Sequence, residues 1–277
     1  MNQFENNTIR LFGDRGKVWL ESLPKIVEDI SRRYGFTELT PMNNLSYNYV
    51  LSGFQGNQPV ILKLGLDTTG LKREAAALKV FSDFGAVRIL AGNENLLILE
   101  RAIPGHSLKS YFPEGNGKAI SLACNIMKRL HQAPLPRAGT FPHIKDWLMA
   151  LDKEWDIPAP YLQKVRQLRD DLFRTEDRTV LLHGDLHPDN ILQNGNQWLV
   201  IDPKGVIGYP INETWAFVMD MEKDTEFIAN FFGFKLQEVR DWYFVRLILS
   251  ICWNLEDNID ARLFMSLARK AYKLVTK

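Results

Sequence analysis

Apolar residues recur at Trp19, Leu20, Leu23, Ile26, Val27 and Ile30, a spacing that predicts a helix over residues 15–34 with Gly35 as its C-cap. The period then changes. Residues 36–40, 47–52 and 59–64 read as short strands, with turn chemistry at Asn43-Asn44 and over 53–57. A segment rich in Ala, Leu, Lys and Glu predicts a helix over 68–84, and further strands follow at 86–90 and 96–100. Ile103-Pro104-Gly105 breaks this pattern, and helical spacing dominates beyond it, at about 118–132, 160–173, 236–255 and 260–275. A strand-like island interrupts the helices at 180–182, with 190–193 and 198–201 after it. No internal repeat or low-complexity stretch appears. The expected architecture is α+β: a small, mostly antiparallel sheet lobe with one inserted helix (residues 1–101), then a larger, mostly helical lobe (102–277).

Charge narrows the class. Across 277 residues, 34 Lys and Arg oppose 33 Asp and Glu, a balance that excludes a dedicated nucleic-acid binder. The distribution is uneven, however. Residues 1–100 hold eleven charges of each sign, whereas residues 205–260 hold ten acids and four bases, an acidity suited to a cationic partner. No apolar run approaches the ~20 residues that span a bilayer, and the polar, acid-containing N-terminus does not read as a signal peptide. These features lead us to expect a cytoplasmic protein without membrane partners. Cys124 and Cys252 are too far apart in sequence to suggest a zinc site or a disulfide framework.

The chemistry concentrates in Leu181-Leu182-His183-Gly184-Asp185-Leu186-His187-Pro188-Asp189-Asn190-Ile191-Leu192. An apolar strand delivers a polar loop and a second apolar strand leaves it. Asp185 and Asn190 stand five residues apart, and Asp202 ends the apolar run Trp198-Leu199-Val200-Ile201. This set suits phosphoryl transfer: Asp185 orients the attacking hydroxyl and accepts its proton, while Asn190 and Asp202 hold a divalent metal against nucleotide phosphates. Hard Mg²⁺ prefers their oxygens to the neighbouring imidazoles. A metal pair at His183 and His187 would need a helix that Gly184 and Pro188 disfavour. His183 reads instead as a scaffold for the loop.

His183-Gly184-Asp185 followed by Asn190 resembles the catalytic loop of kinase-like phosphotransferases. Asp202-Pro203-Lys204-Gly205, Gly13-x-x-Gly16-x-x-Trp19-Leu20-x-x-Leu23-Pro24 and Leu99-Glu100-Arg101-Ala102-x-Pro104-Gly105 resemble the aminoglycoside/hydroxyurea kinase family, which includes streptomycin 6-phosphotransferases. The similarity runs from about residue 11 to residue 220. It implies a bilobal protein-kinase-like fold that uses ATP and Mg²⁺. Lys63, at the end of Val60-Ile61-Leu62, takes the place of the phosphate-binding lysine, with Glu74 as its ion-pair partner. The loop after the first strand lacks the glycines of protein kinases, but Ser46-Tyr47-Asn48 matches the family's Ser-x-Asn pattern and is expected to meet the phosphates. Glu100, Arg101, Ala102 and Ile103 fall where the connector hydrogen-bonds adenine through its backbone.

Glu213 matches an acidic family position and is the expected acceptor contact, although Tyr209 and Asn212-Glu213-Thr214-Trp215 depart from the usual family wording. Lys204 reads equally as a group near the transferred phosphoryl or as a salt-bridge partner within its loop. Trp147, Trp155, Trp215, Trp242 and Trp253 read first as core aromatics, with pocket lining as the alternative. The expected activity is phosphorylation of a hydroxyl on a small molecule, an aminoglycoside such as streptomycin first. The alternatives are another polar metabolite as substrate, or nucleotide binding without turnover.

Overall fold

The computed structural model describes residues 3–276 apart from 44, 113, 176 and 177, so Asn44 of the expected turn lies outside the described residues. The chain opens with α1 (Gln3–Tyr34), β1 (Phe36–Pro41), β2 (Tyr49–Gln55), β3 (Gln58–Leu64), α2 (Thr68–Phe81), β4 (Ile89–Gly92), β5 (Leu96–Glu100) and β6 (Pro104–Ser107). It continues through α3 (Asn116–Leu130), α4 (Ile144–Leu148), α5 (Ala159–Thr175), β7 (Val180–Leu182), β8 (Ile191–Asn194), β9 (Gln197–Val200) and β10 (Val206–Gly208). It closes with α6 (Lys223–Phe232), α7 (Leu236–Glu256) and α8 (Arg262–Val275). Helix α1 begins well before the expected residue 15, bending at Gly13 (φ 57°), and Gly35 (φ 68°) ends it. Strands β6 and β10, with four and three residues, are too short to leave a period in the sequence.

Two compact units form. One takes the residues up to His106 together with Leu192–Lys204; the other takes Ser107–Ile191 and the residues from Gly205 onward. This differs from the single cut expected between 101 and 102. Segment 192–204 joins the first unit because Val87 N–H donates to Val200 O at 3.1 Å and Val200 N–H donates to Gly85 O at 2.8 Å.

In the first unit, β1 to β5 build an antiparallel sheet in the order β1-β2-β3-β5-β4. Strand alternation sends Val60, Leu62 and Leu64 of the central β3 into a core with Phe36, Leu51, Leu96 and Ile98, and Trp19, Ile26, Val27 and Ile30 of α1 pack against it. The same alternation turns Lys63 to the opposite face, toward α2. Asp67 caps α2 by accepting the Gly70 N–H at 2.9 Å.

In the second unit, α7 is buried around most of its circumference, from Val239 through Cys252, as a central helix must be. Strand β7 is buried throughout and pairs antiparallel with β10, Leu182 facing Val206. Cys124 and Cys252 are free and buried, and burial pushes both thiols up to about 12. Among the described residues, no helix is long and apolar enough to cross a membrane.

Leu62 is fully buried at the centre of the sheet. Leu62→Ala should lower the urea-unfolding free energy by about 2–5 kcal/mol through lost burial and the cavity it leaves.

Candidate active site

The first unit carries a buried charge cluster. Lys63 Nζ lies 2.8 Å from Glu74 Oε2 and 3.0 Å from Asp202 Oδ1. Burial opposes the lysine's charge, but Asp202 and Glu74 outweigh it, so its pKa stands above the ordinary lysine value. Burial raises the Glu74 pKa, and the like charge of Asp202 adds to the rise while Lys63 opposes it. Two carboxylates thus share one ammonium, leaving an excess of negative charge. Asp202 is the accessible member, its side chain 40% exposed, and it adopts φ 59°, a left-handed conformation costly to any residue but glycine. Backbone strain at a residue whose carboxylate must point in one direction is common at functional sites.

A cavity of about 430 Å³ in this unit is lined by Asn48, Asp67, Arg73, Glu74, Pro203 and Lys204, among others. Asn48 therefore stands beside the charge cluster. Ser46 is exposed, and its carbonyl accepts Asn7 Nδ2 at 3.0 Å, tying the loop to α1. Lys204 is exposed on the same wall and its charge reaches Glu74.

Connector residue Ile103 departs from expectation. Its N–H donates to Asn194 Oδ1 at 3.1 Å and its carbonyl accepts the Gly195 N–H at 2.7 Å, so both backbone groups are committed to the β8–β9 turn. Arg101 N–H donates to Pro59 O at 3.4 Å and Glu100 N–H to Arg88 O at 2.9 Å. Of the four expected residues, Glu100, Arg101 and Ile103 thus have their N–H groups engaged within the unit.

The second unit carries the loop. Gly184, at φ 85°, turns the chain out of β7, and Asp185 follows, half-buried. Asp185 N–H donates to His183 Nδ1 at 3.3 Å, and the His183 ring is fully buried, which bears out its reading as a scaffold. Asn190 Nδ2 donates to the Asp185 carbonyl at 2.8 Å. That bond leaves the amide oxygen as the group suited to a cation. Ser107 Oγ donates to Pro188 O at 2.9 Å and pins the far side of the loop.

Glu213 corrects the sequence reading. It is 3% exposed, and its carboxylate accepts the His183 N–H at 2.7 Å and the Gly184 N–H at 2.9 Å. It braces the loop from within and presents no face to an acceptor. Burial works to raise its pKa, but His131, His183 and the Gly184 N–H pull harder and hold the carboxyl below the usual range. His131 Nε2 lies 3.7 Å from Oε2, beyond hydrogen-bond length.

Two further residues escaped the sequence reading. His131 is one, buried beside Glu213. Arg246 is the other, 4% exposed on α7, with its guanidinium 5.0 Å from the Trp215 ring centre and 5.3 Å from that of Trp253. A lone cation in the mostly apolar run from Trp242 to Cys252 was the available signal. The tryptophans divide accordingly: Trp242 is core, Trp215 and Trp253 flank Arg246, and Trp147 packs edge-on against Trp253.

The Asp202 carboxylate in the first unit and the Asn190 amide oxygen in the second are each oxygen donors of the kind a hard cation takes. Among the described residues, no group of three or more His, Cys, Asp or Glu gathers to hold a metal alone.

Residues 45–257 match the family model described as aminoglycoside/hydroxyurea antibiotic resistance kinase. A streptomycin 6-kinase of Streptomyces glaucescens is 24% identical over 91% of this chain and 89% of its own length. A streptomycin 3''-kinase of Klebsiella pneumoniae is 30% identical over 58% of this chain and 60% of its own. Among solved structures, a thermostable mutant of an aminoglycoside phosphotransferase in complex with ADP and hygromycin B superimposes with a TM-score of 0.68 at 13% identity, covering 89% of this chain and 97% of that one. The fold is protein-kinase-like.

Glu213→Ala leaves two buried N–H groups without acceptors, so it should cost about 2–5 kcal/mol in urea unfolding at pH 7, where a solvent-facing carboxylate would cost under about 0.5 kcal/mol. Because the folded pKa of Glu213 is depressed, its charge contributes stability above the unfolded carboxylate pKa of about 4.3. The gap between wild type and Glu213→Gln should therefore be complete at neutral pH. It should narrow as pH falls below about 4 and through the folded pKa.

Proposed function

Because the chain belongs to the aminoglycoside/hydroxyurea antibiotic resistance kinase family, we propose that it transfers the γ-phosphoryl group of ATP to a hydroxyl of an aminoglycoside, with streptomycin the first acceptor to test. The observation that carries this reading is the Lys63–Glu74–Asp202 cluster, an ammonium held ready for phosphate oxygens by two carboxylates. Lys63 binds the α- and β-phosphates, and Glu74 keeps it charged and aimed. Ala102 N–H, with the carbonyls of Glu100 and Arg101, holds the base, and Asn48 with Ser46 lies along the phosphates.

Asp202, and Asn190 through its amide oxygen, would each serve as a ligand for Mg²⁺, which would supply neutralisation of phosphate charge. Asp185 receives the acceptor hydroxyl, orients it and takes its proton. Its backbone is held on one side by His183 and on the other by Asn190, so the carboxylate reaches the acceptor from a rigid loop. Glu213 secures that loop and does not touch the acceptor. Acidity across residues 205–260 favours a cationic acceptor. A kinase drawing on cellular ATP works in the cytoplasm. Retention of Asp185, Asn190, Asp202, Lys63 and Glu74 together favours turnover over nucleotide binding alone.

The test is ATP consumption across streptomycin, other aminoglycosides, amino sugars, hydroxyurea and small amino alcohols. We expect turnover with an aminoglycoside and a gain of resistance on expression. Turnover confined to a metabolite, without resistance, would overturn the antibiotic assignment. With the acceptor found, Asp185→Ala should lower kcat by about 10²–10⁴-fold while nucleotide affinity stays within about threefold.

A further inference from the structure

The Gly13-x-x-Gly16-x-x-Trp19 spacing is used by nothing described so far. Helix α1 bends at Gly13 (φ 57°, ψ −132°), a backbone conformation open to glycine and costly to other residues. The bend separates a leg, residues 3–12, from the long arm whose Trp19, Ile26, Val27 and Ile30 pack on the sheet. Gly16 sits against that leg. A Cβ there would stand 2.6 Å from the Thr8 carbonyl oxygen and 3.3 Å from Phe12 Cβ, so leg and arm approach this closely only where the side chain is missing. Phe4 and Thr8 of the leg are buried. The Phe4 ring meets Trp19 edge-on at 5.9 Å and Tyr49, at the start of β2, at 5.6 Å. Gly13, Gly16 and Trp19 together fix where the leg goes.

The leg reaches the loop between β1 and β2. Asn7 Nδ2 donates to Ser46 O at 3.0 Å. Farther along, Leu11 and Phe12 line the same cavity of about 430 Å³ as Tyr47, Asn48, Glu74 and Lys204. Just beyond the bend, Arg15 Nη2 donates to Leu66 O at 3.5 Å, in the segment that joins β3 to α2. The loop sequence from Met42 to Asn48 holds no glycine, so it has few ways to wrap a phosphate by its own flexibility. The Asn7 bond supplies an anchor from outside the loop. It occupies the Ser46 carbonyl, which could only repel a phosphate.

We propose that Asn7 is a positioning residue for the nucleotide: by holding the Ser46 carbonyl, the leg of α1 keeps the 46–48 loop turned toward the phosphates, and Leu11 and Phe12 form the cavity wall beside Glu74. This role rests on the phosphotransferase reading and deepens it. It assigns the leg no contact with the acceptor or with Asp185; its effect passes through the loop to the phosphates. It also gives the two glycines a shared purpose, since each is needed to bring Asn7 to Ser46.

The test is calorimetric titration of the full chain with ATP–Mg²⁺ and, separately, with adenosine, which carries the base and sugar and no phosphate. Asn7→Ala should lower the affinity for ATP–Mg²⁺ about three- to tenfold, the worth of one neutral hydrogen bond, and leave that for adenosine within about twofold. Gly16→Ala, which forces a methyl group against the Thr8 carbonyl and so displaces the leg, should act in the same direction. Neither substitution changes charge, so an altered long-range field does not account for a loss. The deciding value is the ratio of the two affinities. A ratio that falls about threefold or more supports the proposal, because general damage to the unit would weaken both ligands together.

A smaller fall in that ratio, for Asn7→Ala or for a folded Gly16→Ala, would overturn it. Should Gly16→Ala fail to fold by circular dichroism, Asn7→Ala decides alone, since its side chain is only half-buried. Unchanged ATP–Mg²⁺ binding in Lys63→Met would overturn the nucleotide site and this inference with it. Weakened binding in Lys63→Met beside an unchanged Asn7→Ala would overturn this inference alone.

Discussion

Lys63 brings an ammonium out of water and sets it between Glu74 and Asp202, and the first unit is arranged around that arrangement. The position follows from β3, where Val60, Leu62 and Leu64 are committed to one face and the residue between them must face the other. Helix α2 is capped by Asp67 and brings Glu74 within 2.8 Å. The β8–β9 segment is held to the same unit by the Val200 hydrogen bonds and carries Asp202 to 3.0 Å. A buried ammonium with a single carboxylate would be close to neutral. Two carboxylates leave surplus negative charge, and the Asp202 side chain stays 40% exposed, which is why we propose the cluster as a cation ligand as well as a structural ion pair.

The second unit solves a different problem, which is to hold one carboxylate still on a polar loop. Buried groups surround Asp185: the His183 ring accepts its N–H, Asn190 binds its carbonyl, and Glu213 secures the two residues before it. Each of these partners is itself 8% exposed or less. Desolvation strengthens such charge-assisted bonds and makes each costly to remove. Side chains fixed in this way place a catalytic group with the precision that near-attack geometry demands.

Much of this was legible in the sequence, for identifiable reasons. The alternation in β3 and the three-and-four spacing in α1 are local signals, and Lys63, Glu74, Asp185, Asn190 and Asp202 sit in motifs with fixed local spacing. Glu213 was read as an acceptor contact because it matches an acidic family position in an acid-rich stretch. Its burial depends on a 3₁₀ turn returning to residues thirty positions earlier, which no local pattern encodes. Ile103 was misplaced for a similar reason, since the Asn194 and Gly195 groups that consume its backbone lie some ninety residues away. Helix α6 went unread although Phe227, Ile228, Phe231 and Phe232 keep helical spacing and Gly233, at φ 74°, marks its end. Arg246 was visible only as an anomaly in an apolar helix, and its partners had to come from the fold.

The central claim is that the Lys63 cluster is a nucleotide-phosphate site as well as a piece of the core. Calorimetric titration of ATP–Mg²⁺ into wild type and Lys63→Met, with folding of each verified by circular dichroism, tests it most directly. The account predicts a folded variant whose affinity for ATP–Mg²⁺ falls at least about tenfold, the loss of a charge-assisted phosphate contact. A folded Lys63→Met protein that binds ATP–Mg²⁺ as tightly as wild type would contradict it.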